Sequence, residues 1–101
     1  MDTSIVDNPL ASRLELHVED EVVGILAYEC VDDVVSFIDL TTDPSRAGQG
    51  LGLLLVRKAL DAVGAEGWSV LPVCPFVRDF IHRHPVYLDL VPVEQRQRFN
   101  L

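Results

Sequence analysis

Three glycines on alternate residues, Gly48, Gly50 and Gly52, sit in Ala47-Gly48-Gln49-Gly50-Leu51-Gly52 and lead straight into an apolar helical pattern. That order suits an anion. The first N–H groups of a helix lack intrahelical acceptors, the helix dipole adds roughly half a positive charge there, and glycines let a phosphate approach the backbone. Two other phosphate motifs fail. A Walker A loop needs Gly-Lys-Ser/Thr, and Gly52 is followed by Leu53-Leu54. A dinucleotide fingerprint needs a third glycine where Leu53 or Leu55 stands, and an early βαβ unit. The alternative is a connector whose glycines only ease a turn.

The other candidate chemical groups are scattered. Cys74 precedes Pro75 at a predicted helix start, where a thiol's pKa tends to fall; the competing reading is a small buried core residue. His84 is a candidate base, with a capping or surface role as its rival. Tyr87 is a candidate proton donor or a core tyrosine, and Asp39 a candidate base or amine anchor or simply an edge residue. Cys30 reads as core. His82 and His84 diverge and have no third ligand at matching spacing, so no metal is expected.

The elements that must position these groups follow from periodicity. Residues 1–11 read as a loose lead-in. Arg13 to Val18 alternates Leu14, Leu16 and Val18 against Arg13, Glu15 and His17, a half-buried strand. A polar turn at Glu19–Glu21 leads to a second strand, Val22 to Tyr28, and Asp32-Asp33 to a third, Val34 to Leu40. A helix is predicted from about Leu51 to Val63, with Val56, Ala59, Leu60 and Val63 inward, and Gly64 and Gly67 at its end. Trp68 to Val73 reads as a strand buried on both faces. Pro75 opens a second helix with Phe76, Val77, Phe80 and Ile81 as its stripe, and Pro85 ends it. Val86 to Val91 is a short packed element. The order is β-β-β-α-β-α: an α+β (mixed α/β) fold, an antiparallel meander followed by loop-α-β-α. One domain is expected over 5–93, with a frayed polar tail over 94–101.

The chain has 101 residues and a net charge of −8. Eleven acids and one base fall in residues 1–45, which opposes nucleic-acid binding. No apolar run reaches the roughly 18 residues a membrane span needs, and Met1-Asp2-Thr3-Ser4 is unlike a signal peptide. Two distant cysteines argue for reduced thiols. The expectation is a cytoplasmic monomer or weak dimer with no nucleic-acid or membrane partner.

The glycine loop resembles the pyrophosphate loop of the GNAT N-acetyltransferase superfamily, Arg/Gln-x-x-Gly-x-Gly/Ala, with Ala47 in place of the usual first residue. Val70-Leu71-Pro72-Val73-Cys74-Pro75-Phe76-Val77, followed by Arg83-His84-Pro85-Val86-Tyr87, is similar to the signature of the small YjdJ-type acetyltransferases, a likeness running from about Asn8 to Val91. The group's His-Thr-Glu-Val before the loop is met here by Asp39-Leu40-Thr41-Thr42, without the His or the Glu, which points to different acceptor chemistry or reduced activity. The resemblance implies an acetyl-CoA-dependent N-acetyltransferase acting on a primary amine, of a small molecule or a protein; the alternative is a CoA-binding module without efficient turnover. It implies a sheet that splays between the strands ending near Thr42 and Val73, pyrophosphate held by Gly48 to Leu53, and an oxyanion donor near Thr42. The CoA-contacting set it implies is Thr41, Thr42, Ala47, Gly48, Gln49, Gly50, Leu51, Gly52, Leu53, Cys74 and Phe76, with Cys74 beside the thioester.

Overall fold

The computed structural model describes residues 2–101. Five strands form one sheet in chain order: β1 (Thr3–Asn8), β2 (Arg13–Val18), β3 (Glu21–Val31), β4 (Val34–Thr42) and β5 (Ser69–Pro72). The first four pair antiparallel and β5 runs parallel to β4. Helix α1 (Leu51–Ala65) makes the crossover, and α2 (Pro75–Arg83) follows β5. The mixed fold expected from the sequence is therefore found, with one strand added at its front.

That strand replaces the expected lead-in. Only Ile5 and Val6 are apolar in it, too short a run to be legible alone. It is held by pairing to β2, from Thr3↔Val18 to Asn8↔Arg13, and stops where Pro9 removes a donor. The Glu19–Asp20 turn holds both residues at positive φ, the two-residue hairpin form that matches strand twist. β5 is shorter than expected and buried on one face only: Val70 and Pro72 are buried, Ser69 and Leu71 half-buried.

The core lies between the sheet and α1. The helix stripe is wider than its sequence pattern implied, with Leu51 and Leu55 joining Val56, Ala59, Leu60 and Val63. It packs on Leu16, Leu26, Phe37 and Val70, each fully buried. Gly24 makes the close approach possible: a Cβ there would lie 3.2 Å from the Leu55 side chain. α2 and the 3-10 turn Pro85–Leu90 dock on α1, where Tyr87 donates to Asp61 at 2.8 Å.

The tail is not frayed. Two 3-10 turns, Val93–Gln95 and Gln97–Phe99, curl it against α2, and Phe99 is buried. Arg96 Nε donates to the Val91 carbonyl at 3.0 Å, and the Leu101 N–H to the Arg96 carbonyl at 2.8 Å. Order thus runs across both boundaries expected for the 5–93 unit.

Candidate functional site

β4 outruns β5. Their pairing ends at Phe37↔Pro72, the Cys74 N–H adds one bond to the Phe37 carbonyl at 2.7 Å, and β4 continues to Thr42. The departure coincides with a bulge. Ala27 faces Asp39 while Tyr28 faces Phe37, so Ile38 is the extra residue on β4. A bulge reverses the alternation beyond it. Leu40 and Thr42 thus turn to the helix side, and Asp39 and Thr41 to the other.

The chain then turns through the 3-10 segment Pro44–Arg46. Asp43 caps it, accepting from the Ser45 N–H at 2.9 Å and the Ser45 hydroxyl at 2.8 Å. Those bonds, the hydroxyl first, hold the Asp43 carboxyl below its ordinary range. Arg46 reaches across to Glu21 at 2.9 Å and pins the loop to the β2–β3 hairpin. Gly48 and Gly50 take φ of 84° and 72°, a left-handed conformation that side chains resist, and a Cβ on either would meet nothing within 4 Å. Gly50 caps α1 without a side chain. The first helical bond runs from the Leu54 N–H to the Gly50 carbonyl at 3.1 Å, so the N–H groups of Leu51, Gly52 and Leu53 open the helix without acceptors inside it.

A groove of about 340 Å³ lies over this helix start, walled by Leu40 and Thr42 on β4, Arg46 to Gly48 and Gly50 to Leu53 on the loop and helix, and Phe76 on α2. Gly52 is required for packing: its Cβ would stand 3.3 Å from both Leu40 and Phe76. A second groove, about 620 Å³, shares Gly50, Leu51 and Leu53 with the first and continues past Gln49 and Arg57 to Phe80, His84, Val86 and Tyr87. The two meet at the helix start. An anion there would have free backbone donors below it; of the two guanidinium groups nearby, Arg46 is paired with Glu21 and Arg57 lines the second groove.

A family model described as GCN5-related N-acetyl-transferase matches residues 13–90. The chain belongs to the GCN5-related N-acetyltransferase family. Solved structures agree on the fold. A GCN5-like protein of Staphylococcus aureus, determined by NMR, superposes with a TM-score of 0.66 at 15% identity, over 88% of this chain and 87% of that one. The ribosomal-protein-S18-alanine N-acetyltransferase of Escherichia coli superposes with a TM-score of 0.53 at 20% identity, over 57% of this chain and 38% of that one. The GCN5-related domain here thus aligns with well under half of that enzyme's length. No curated protein matches the sequence.

Within this GCN5-related fold the candidate residues divide. The first groove gathers Thr42, Ala47, Gly48, Gly50, Leu51, Gly52, Leu53 and Phe76. Gln49, His84 and Tyr87 line the second. Cys74 caps α2 at 3% exposure, with its side chain in the core. Cys30, expected in the core, is the exposed thiol, with Sγ 3.4 Å from the Asp32 carbonyl. Asp39 and Thr41 sit exposed on the far sheet face, 3.5 Å apart. Of the catalytic candidates only His84 and Tyr87 share a groove: α2 puts about 15 Å between Cys74 and His84, and Asp39 is on the far sheet face.

His84 Nδ1 lies 2.9 Å from the Phe80 carbonyl, which only accepts, so that nitrogen is the donor. The ring stacks on Phe80 with centroids 4.3 Å apart. The Tyr87 hydroxyl is committed to Asp61, and burial first, then that bond, raises its pKa. Two residues of the first groove, Leu40 and Arg46, were not among the sequence candidates, nor were Leu54, Arg57, Phe80 and Val86 of the second. Leu40 was hidden because only the bulge turns it inward, whereas Arg46, the lone base flanking the loop, was legible as a charge.

Proposed function

We propose that this domain is an acetyl-CoA-dependent N-acetyltransferase that transfers an acetyl group to a primary amine. The observation that carries the reading is the junction of a left-handed glycine cap, an open helix start and a β4 segment that β5 does not pair. The N–H groups of Leu51, Gly52 and Leu53 hold the pyrophosphate. Leu40 and Phe76 wall the pantetheine arm, and the β4 backbone from Ile38 to Thr42 supplies amide partners along it. The second groove meets the first at the pyrophosphate end, so His84, Tyr87 and Arg57 serve the nucleotide and not the acetyl group.

The reaction then runs by direct attack. The neutral amine adds to the thioester carbonyl, the oxygen takes a backbone N–H of the β4 segment toward Ile38, and CoA leaves as the thiolate while the amine's proton passes to water. Buried Cys74 carries no acetyl group in this scheme, and its place is structural. The test has two stages. Calorimetry should show CoA binding to the protein as it stands, and a panel of primary amines with acetyl-CoA should then release free thiol only when an amine is present. Absence of CoA binding overturns the reading. Binding without amine-dependent release leaves a CoA-binding module in its place.

A further inference from the structure

Between the C-terminal half of α1 and the sheet lies a recess of about 380 Å³. Its origin is in the sequence. Ala59, buried against the sheet, and Ala62, exposed at the rim, bring only methyl groups to its helix side, and Phe37, Val35 and Leu14 form the floor. Trp68, just before β5, closes one side and is 37% exposed. The polar groups are all at the mouth. The Tyr28 hydroxyl donates to Asp7 Oδ1 at 2.6 Å, and Glu66 stands at the end of α1. Burial first, then the Asp7 bond, pushes the Tyr28 phenol up to about 12, so it stays a donor at neutral pH. No lysine, arginine or histidine lines the recess.

We propose that this recess is a second binding site, taking a small organic cation with an aromatic or branched apolar body and an ammonium group. The volume suits a body of about ten heavy atoms. Tyr28 and Trp68 supply aromatic surface beside a cation, and the carboxylates of Asp7 and Glu66 complement its charge. The site is distinct from the glycine groove: the two share no lining residue, and their nearest lining positions on α1, Leu53 and Ala59, are six residues or about 9 Å apart. The proposal stands apart from the acetyltransferase reading, since binding is measured without CoA.

The test uses the single tryptophan as reporter. Titration with 2-phenylethylamine at pH 7 should change Trp68 emission saturably and slow maleimide labelling of Cys30. The neutral 2-phenylethanol and the anionic 3-phenylpropionate should bind more weakly by about tenfold or more. Ala62→Leu, on an exposed helix position, should abolish the signal, and Glu66→Gln should weaken the amine several-fold while leaving 2-phenylethanol unchanged. Equal binding of all three probes, or no saturable change, overturns the proposal. So does a Trp68 signal and Cys30 protection that follow protein concentration with a dimer in sedimentation, since the recess would then be covered by a second copy.

Discussion

Gly50 holds φ of 72° with open space where a Cβ would stand, and its carbonyl accepts the first hydrogen bond of α1. Gly67 shares the geometry, with φ of 74° and nothing near its missing Cβ, but lies beyond the other end of the helix. The pair separates backbone strain from ligand contact. Gly50→Ala and Gly67→Ala should each cost about 1 kcal/mol of stability by thermal unfolding. Only Gly50→Ala should weaken CoA, by roughly tenfold or more, because its methyl projects into the groove and displaces an anion from charge-assisted donors. Equal CoA affinity in both variants would place the anion elsewhere. Gly52→Val is a poorer probe than its place in the motif implied, since Leu40 and Phe76 leave it no room. The glycine pattern was legible in the sequence because φ and close approach are local demands. The thiols were not, because exposure is decided by neighbours. Cys30 is exposed and Cys74 buried, so an aromatic disulfide reagent should titrate one fast thiol in the folded protein and the second only on unfolding. Loss of the fast phase in Cys30→Ser, and its retention in Cys74→Ala, checks the assignment.

Among the elements, β2 carries a group whose type was visible in the sequence and whose environment was not. The alternation of Arg13, Glu15 and His17 marked an outward face, yet Glu15 is buried. It accepts from Asn8 Nδ2 at 3.1 Å, His17 Nε2 at 3.0 Å and Arg13 Nε at 2.8 Å. Asn8 comes from β1, the strand that periodicity missed. These bonds, Asn8 first, lower the Glu15 pKa from 4.5 to about 2. A carboxyl depressed in the folded state stabilises fully above its unfolded pKa and loses that contribution as pH falls through the folded value. Glu15→Gln should therefore be less stable than wild type by urea midpoint at pH 7. The gap should hold down to about pH 4.5 and close toward pH 2. A gap that stays constant across that window would show that the carboxylate's charge contributes nothing to the β1–β2 pairing. The bulge at Ile38 is the other element-scale feature hidden from the sequence. Val34 to Leu40 reads as a simple strand, and only pairing to β3 shows where its alternation reverses.

The whole molecule has one main core and a smaller patch beneath its C-terminal turns. The sequence concealed that patch. From Glu94 to Leu101 only Phe99 and Leu101 are apolar, too few to register against six polar neighbours, so composition alone reads as a tail. In three dimensions those two side chains line one groove with Pro75, Arg78, Asp79 and His82 of α2, and Leu101 also packs against the main core. Phe99 is buried to 4% exposure, with the Arg98 guanidinium 4.8 Å from its ring centre. The position of α2 depends on what brackets it: α1 and the Pro85–Leu90 turn on one side, this patch on the other. Phe99→Ala removes the larger apolar side chain of the patch and should cost about 3 kcal/mol, the lower end for a buried phenylalanine because the site lies at the margin of the core. In a domain with a total stability of about 5–15 kcal/mol, that is a large share, and it should lower the melting temperature by more than about 10 °C. Arg98→Ala should cost well under 1 kcal/mol, since its contact with the ring is exposed to solvent. If Phe99→Ala instead melts within a degree or two of wild type, the C-terminal turns contribute nothing to α2. The domain's cooperative unit would then end at Val91, the last residue of the main buried cluster.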